Sequence, residues 1–521
     1  MVESGQPILQ LDVDGQQVEV PDDGSTLLDV LRDRLHLHGA KDGCSPQGQC
    51  GCCTVLVDGQ PRVACVTPAR RVSGRAITTV DGLDSVARQR WGDAFCATGA
   101  SQCGFCTPGI ICRLEGLRTK GAEAGDHAAV EQALLAHLCR CTGWRTLLEA
   151  WDLAVGGAAL PLRDLGAASV RAALEGGGPQ HVAPDVALGR GGFADDTAPP
   201  DALVAVPDGA GGWAVGDTLA EARAAAGKVQ GRRTTVDATP PLALPPGDWT
   251  ATLRTSWVEP AYLEPDASWC EPGGEPHTPL ANGGAFGGKH TSLVTAAARE
   301  LADQHGRPVR VLLSREDTVR LGPKRPPVAG GSNALGEGIL RVVRTPGIAA
   351  AIASVAPHLV VEELDLAGPP TSVHLRAAGW AEAVVLLTGA RGSLLPVVDP
   401  VTGASAEAEI ADNGTVRVRL DAGETLDDVV LRSYATGAAH MALSWVSTEG
   451  IAVDESGTVH DLTIRSFGVL RAVDTPPIVI DLVAGLGPAV RGSDAVFAAV
   501  AAAAWLHLGC PTDWPAGACW R

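Results

Sequence analysis

Positive charge is scarce in this chain. Its 521 residues carry Lys+Arg 41 against Asp+Glu 60, a formal net charge of −19. A chain this acidic repels phosphate backbones and anionic lipid, so neither nucleic acid nor a membrane surface is an expected partner. Long apolar runs are missing as well. The longest clean one, Ala495 to Leu506, is too short to cross a bilayer, so no membrane insertion is expected. The opening residues, MVESGQPILQ, show no basic stretch followed by an apolar one. That predicts no secretory signal and a reducing, cytoplasmic setting. The length predicts roughly two to four domains.

Cysteine is rare over most of the chain and dense in one part of it. Of 14 cysteines, 11 lie between Cys44 and Cys141; only Cys270, Cys510 and Cys519 fall elsewhere. Clustered thiols in a reducing compartment are more often metal ligands than disulfides. Cys44, Cys50 and Cys53 share one loop with spacing C-x5-C-x2-C, and Cys65 follows on the next hairpin. Two irons bridged by two sulfides need four thiolates converging from a tight loop and a neighbouring strand, and this spacing can supply them. Gly43, Gly48 and Gly51 let the loop wrap closely. Cys52 stands beside Cys53, and on spacing alone either could ligate. Four thiolates would also suit zinc. A second set is Cys103 and Cys106 (C-x2-C) with Cys139 and Cys141 (C-x-C). These sit where helices begin or end, so unpaired N–H groups can face a charged cluster. Cys96 and Cys112 stand at helical spacing and read as core thiols.

The elements around these sets are legible. ILQLDVDGQQVEV (8–20) and TVLVDGQPRVACV (54–66) each alternate about an Asp-Gly pair, the pattern of a β-hairpin. Between them Ser25 or Thr26 can cap a helix over TLLDVLRDRLHL. Strand, strand, helix, cysteine loop, strand, strand is the order of a β-grasp domain. From about Val80 the period becomes helical. Thr107-Pro108, Asp126 and Thr142 are candidate helix starts. Beyond Val186, helices are expected at 219–226, 293–306 and 493–509, and strands at 307–314, 416–421 and 460–467. The fold class is multidomain α+β. Its expected parts are a ferredoxin-like domain at 1–79, a helical domain at 80–157, a linker at 158–185 and a mixed region at 186–521.

KDGCSPQGQCGCCTV, SQCGFCTPG and LCRCTG together resemble the iron–sulfur part of the molybdenum hydroxylases, the xanthine dehydrogenase and aldehyde oxidoreductase family. The resemblance covers about residues 5–157. It implies a β-grasp [2Fe-2S] ferredoxin domain, a helical-bundle [2Fe-2S] domain and then a shortened α+β molybdopterin-binding-like region. It implies that Cys44, Cys50, Cys53 and Cys65 hold the first [2Fe-2S] cluster, the family's C-G-x-C selecting Cys53. Cys103, Cys106, Cys139 and Cys141 would hold the second. Gln102 and Cys141 would approach a molybdopterin, its cytosine dinucleotide form included. NGGAFGGKH (282–290) misses a P-loop, because His290 stands where Ser or Thr is needed. It is similar instead to the family's GGxFGGK loop, with Gly283, Gly284, Phe286 and Gly287 as cofactor contacts. GPPTSVHLRAAGWAEA (368–383) resembles the Arg-Gly-Phe-Gly segment through Arg376 and Gly379, with Ala377 and Ala378 as departures.

The family carries a base, a Glu, in a GxGE segment near its C-terminus. Here Gly485-Leu486-Gly487-Pro488 puts Pro488 in that place, so the catalytic residue is unassigned. The next carboxylate, Asp494, reads as a helix cap. A Gly-Gln-Gly segment is missing, as is a recognisable flavin domain. Two functions follow. One is an oxidoreductase that hydroxylates an N-heterocycle or aldehyde and sends electrons through two [2Fe-2S] clusters to an external acceptor. A separate FAD-binding subunit, in a homo- or hetero-oligomer, would serve as that acceptor. The other is an electron-transfer or scaffold subunit with a degenerate molybdenum domain.

Overall fold

Both Asp-Gly pairs turn hairpins. In the computed structural model, which describes residues 7–159, 163–227, 231, 234–278 and 284–520, β1 (Ile8–Val13) pairs with β2 (Gln16–Pro21), and β3 (Thr54–Val57) with β4 (Gln60–Val63). Asp14 and Gly15 have φ of 54° and 78°, and Asp58 and Gly59 have 48° and 71°. Two successive positive φ values give the turn whose twist matches the strands. β5 (Ala76–Thr78) runs parallel to β1 and completes a sheet of order β2-β1-β5-β3-β4. Thr26 caps the helix α1 (Leu27–Asp29) in a reciprocal box with Asp29, and one π turn, Val30–Arg34, continues it.

The helices α2 (Ser85–Thr98), α3 (Thr107–Arg118), α4 (His127–Ala133) and α5 (Arg145–Gly156) follow. Two of the expected starts are displaced. Cys106, not Thr107, is the cap residue of α3, which puts a ligand candidate at the helix mouth. α5 starts after Trp144, at φ 68°, rather than at Thr142. The indole of Trp144 is buried and donates to the carbonyl of Leu470, and that anchorage sets the turn. Within 158–185 a full helix, α6 (Leu165–Gly176), packs on the helix Asp428–Ser447, with Arg171 and Glu175 buried.

Beyond it lie three further sheets. Leu203–Pro207, Trp213–Gly216, Ala267–Cys270 and Val309–Leu312 make a four-stranded sheet. Ala251–Thr255, Val328–Ser332, Gly338–Val343, Leu359–Leu364 and Asp513–Trp514 make a five-stranded one. Val397–Val398, Ser405–Ile410, Val416–Asp421 and Ile478–Leu482 form the last. The helices Trp380–Arg391, Asp428–Ser447 and Ser493–His507 fill the core of the last two sheets, while the helix Val294–His305 packs on the first. Expected helices at 219–226, 293–306 and 493–509 are present within a residue or two. Residues 460–467 are not a strand; they bend and end in a 3-10 turn, Ile464–Phe467. Their backbone is bonded elsewhere: Ile464 N–H donates to Gln47 Oε1 at 3.1 Å and Arg465 N–H to Gln49 Oε1 at 3.3 Å. Among the described residues no helix is long and apolar enough to cross a membrane.

Candidate iron–sulfur and cofactor site

The cysteine loop between α1 and β3 is shaped by glycines and held from outside. A Cβ on Gly51 would lie 2.5 Å from the His137 ring, and one on Gly109 would lie 2.3 Å from the Gly51 carbonyl. The loop and the mouth of α3 therefore meet backbone to backbone. Arg315 Nη2 donates to the carbonyls of Gly43 and Leu263, both at 2.8 Å. Gln47 Nε2 reaches Glu316 and the Leu462 carbonyl.

In this loop Cys44 hydrogen-bonds the side chains of Cys50 and Cys65, and Cys65 those of Cys44 and Cys53. All four are buried. The Gln47 N–H points at Cys44 Sγ (3.2 Å) and the Cys65 N–H at Cys53 Sγ (3.4 Å). Such donors favour a thiolate and an anionic cluster. The neighbouring Cys50 and Cys65 thiols, and then the Gln49 and Gln47 N–H groups, hold Cys44 well below the ordinary thiol range, against its burial. The Cys52 thiol bonds toward the Cys50 carbonyl at 3.9 Å.

The second set forms at the mouth of α3 and the turn before α5. Cys103 Sγ and Cys141 Sγ are 3.7 Å apart, and Cys139 hydrogen-bonds Cys106. The Cys139 thiol is pulled down to about 6, first by Cys106 and then by the Thr142 hydroxyl (3.1 Å) and backbone N–H groups. Arg140, between the two ligand candidates, is buried in a bidentate pair with Glu449 and donates to the Pro260 carbonyl. The Leu138 N–H donates to the Cys50 carbonyl at 3.0 Å, joining the two sets through one hydrogen bond. Among the described residues no three His, Cys, Asp or Glu side chains converge on a single ion. A frame of thiols around two irons is wider than a one-ion site.

The glycine-rich loop lies directly against this second set. A Cβ on Gly284 (φ 88°) would stand 2.9 Å from Cys141 Sγ and 3.3 Å from Cys103 Sγ. Gly283 lies outside the described residues. Gly287 (φ 92°) passes the His374 carbonyl so closely that a Cβ would fall 1.8 Å from it. Phe286, at φ 46°, turns its ring under Arg376, whose guanidinium carbon is 3.9 Å from the ring centre. Arg376 also bonds Asp494 and Ser493, both at 3.2 Å. Phe286, Lys289, His374, Arg376, Arg491 and Asp494 line part of a cavity of about 180 Å³.

Gln102 sits behind the loop. Its Nε2 donates to the Cys141 carbonyl and to Ser433 Oγ, both at 2.9 Å, while its Oε1 is buried with no partner. The buried Tyr434 hydroxyl, close to Cys103 and Cys141, is also without a partner. Orphaned groups of this kind are costly unless a ligand donor or acceptor completes them. Neither group lines the cavity beside Arg376, so both are candidates for a ligand's donors and acceptors on the chemistry of the groups alone.

Asp494 is not the helix cap expected from sequence. Gly492 is the cap residue, and Asp494 lies in the first turn, pinned by Arg376 and by Arg491 at 3.1 Å. Pro488 is exposed and packs its carbonyl against Gly423, outside the cavity. Ser433, Tyr434 and Glu449 were not legible from spacing. A buried Arg inside C-R-C, however, requires a carboxylate partner somewhere in the chain.

A family model described as a 2Fe-2S iron-sulfur cluster binding domain matches residues 9–70, and one described as a [2Fe-2S] binding domain matches residues 79–152. The chain is 38% identical over 141 residues to a probable xanthine dehydrogenase subunit of Bacillus subtilis (strain 168), covering 27% of this chain and 80% of that one. It is 40% identical over 143 residues to the xanthine dehydrogenase of Drosophila subobscura, covering 25% of this chain but 10% of that protein. The aldehyde oxidoreductase of Desulfovibrio gigas shares the fold over 84% of this chain and 74% of its own, with a TM-score of 0.54 and 18% identity.

Proposed function

The chain belongs to the molybdenum hydroxylase (xanthine dehydrogenase) family, and on that premise we propose that it is an iron–sulfur oxidoreductase hydroxylating an N-heterocycle or aldehyde. Electrons would pass through the second and then the first [2Fe-2S] cluster to an external acceptor. The observation that carries this reading is the Gly284 contact. Gly284 lies against the Cys103 and Cys141 sulfurs, and Gln102, whose Oε1 is orphaned, donates to the Cys141 carbonyl. A separate FAD-binding subunit is the proposed acceptor. The Bacillus relative is itself named a subunit, which supports a hetero-oligomer.

When bound, a molybdopterin supplies the metal-centred transfer of oxygen from water to carbon. The residues of this chain bind and orient. Gln102 Oε1 and the Tyr434 hydroxyl would meet its donors and acceptors, and Gly284 and Gly287 would allow backbone approach. Arg376, stacked on Phe286 and held by Asp494 and Ser493, presents a fixed positive charge to the cavity. Asp494 is tied to two guanidinium groups, so it serves to orient Arg376.

One observation favours the second reading, an electron-transfer subunit whose site is completed by another chain. Of the carboxylates lining the cavity, Asp494 is paired twice. Glu175 accepts from Arg171 and from the Gly492 and Ser493 N–H groups. The test is iron, molybdenum and zinc per purified, cofactor-replete chain, followed by anaerobic addition of an N-heterocycle or aldehyde. About four irons are expected from two [2Fe-2S] clusters. Near-stoichiometric molybdenum with substrate-driven bleaching of the clusters supports the hydroxylase. Iron without molybdenum favours the electron-transfer subunit, and zinc without iron would sink both.

A further inference from the structure

The cysteine loop holds one thiol more than a cluster uses. Cys52 is fully buried, and Cys53 rather than Cys52 stands beside Cys65 and receives its N–H. The Cys52 Sγ lies in the seam between the two cysteine sets. A Cβ on Gly43, next to Cys44, would sit 3.1 Å from Cys52 Sγ and 3.1 Å from the ring of Phe105, the residue before Cys106. The Cys52 Sγ is also 3.9 Å from the Cys50 carbonyl, the same oxygen that accepts the Leu138 N–H next to Cys139. The α3 backbone closes the seam at Gly109, where a Cβ would come 2.8 Å from the Cys52 carbonyl.

Resting on the iron–sulfur part of the reading above, we propose that Cys52 is a positioning residue. On this proposal it does not ligate iron, and its S–H, directed at the Cys50 carbonyl beside that ligand candidate's thiolate, raises the reduction potential of the first cluster. An added electron makes the cluster and its thiolates more negative, and a nearby S–H dipole in a water-free seam stabilises that charge. Hydrogen bonds toward ligand sulfur and exclusion of solvent are the protein's means of setting such potentials. Cys52 also lies near Cys106 and Cys139 of the second set, whose own donors are the Thr142 hydroxyl and backbone N–H groups. Because its S–H is directed at the first set, Cys52 favours an electron on the first cluster, the one that hands electrons outward.

The experiment compares Cys52→Ala and Cys52→Ser with the wild-type chain, full length and iron-replete, by iron content and by a redox titration followed by electron paramagnetic resonance. Iron per chain should be unchanged in both variants. In Cys52→Ala the first cluster's midpoint should move to a lower potential, and by more than the second cluster's. In Cys52→Ser, which keeps a hydroxyl donor, the midpoint should return most of the way to wild type. An unmoved midpoint in an iron-replete Cys52→Ala chain overturns the proposal alone. Loss of the first cluster's signal from both variants makes Cys52 a ligand and overturns it too. Iron-free wild-type protein removes the iron–sulfur reading and the proposal together.

Discussion

At the scale of single residues, covalent chemistry was legible and partnership was not. The two cysteine sets could be read because iron tolerates few ligand types and short loops fix their spacing. The structure keeps the sets distinct, with Cys44, Cys50, Cys53 and Cys65 in one and Cys103, Cys106, Cys139 and Cys141 in the other. Cys103→Ser should therefore abolish the second cluster's signal and leave the first cluster's spectrum intact; joint loss of both signals would indicate one shared centre. Gln102 could be flagged from its place before Cys103, but Ser433, which accepts its amide, is 331 positions away. Asp494 was visible as a carboxylate and misread as a cap, because the cap position is taken by Gly492 and the side chain is claimed by Arg376 and Arg491. Nothing in local spacing announces a partner more than a hundred residues distant.

At the scale of elements, legibility followed whether backbone hydrogen bonds are local. Hairpins turned at Asp14-Gly15 and Asp58-Gly59 as read, since positive φ at consecutive positions is a property of the dipeptide. HDLTIRSF alternates like a strand, yet its Ile464 and Arg465 N–H groups go to the side chains of Gln47 and Gln49 on the cysteine loop. Tertiary bonding overrode propensity there. Two elements meet without side chains between them at Gly109, where the first turn of α3 presses on the Gly51 carbonyl. Gly109→Ala should force them apart, costing about 1–3 kcal/mol as an overpacked seam. Thermal unfolding with iron analysis checks this, and the prediction fails if melting point and iron content both stay at wild-type values. The Arg140–Glu449 pair ties the C-R-C turn to the end of the helix Asp428–Ser447, with both side chains at least 96% buried. Glu449→Gln leaves a guanidinium charge uncompensated in the interior, a cost of about 3–5 kcal/mol. The second cluster's signal should be lost at lower denaturant than the first cluster's, a split in the unfolding curves that wild-type protein would not show.

At the scale of the whole molecule, buried seams hold the two halves of the iron–sulfur part together and fasten that part to the rest, and one seam of each kind contains a neutral histidine. His137 lies against Gly51 and His440 against Gly143, beside the two cysteine sets. Burial, reinforced by Arg113 near the first and Arg140 near the second, pushes each imidazole down to about 3 from an ordinary 6.5. A folded value below the unfolded one means that stability is fully present above about 6.5 and is lost as pH falls toward 3. Over that window each histidine costs about 1.4 kcal/mol per pH unit, because the unfolded chain takes up the proton that the folded chain refuses. His440 is the cleaner probe, since it is far in sequence from any cysteine. Its Nε2 meets only the Leu470 carbonyl at 3.1 Å, and its Nδ1 has no partner. His440→Gln keeps a donor for that carbonyl and cannot be protonated. Between pH 7.5 and pH 5 the wild-type chain should therefore lose about 2 kcal/mol more stability than the variant in urea unfolding. Equal losses in the two chains would show that His440 is protonated in the folded state or that its seam opens before it titrates. In the first case the imidazole is less buried than its packing against Gly143 indicates, and in the second the iron–sulfur part separates from the rest as a unit.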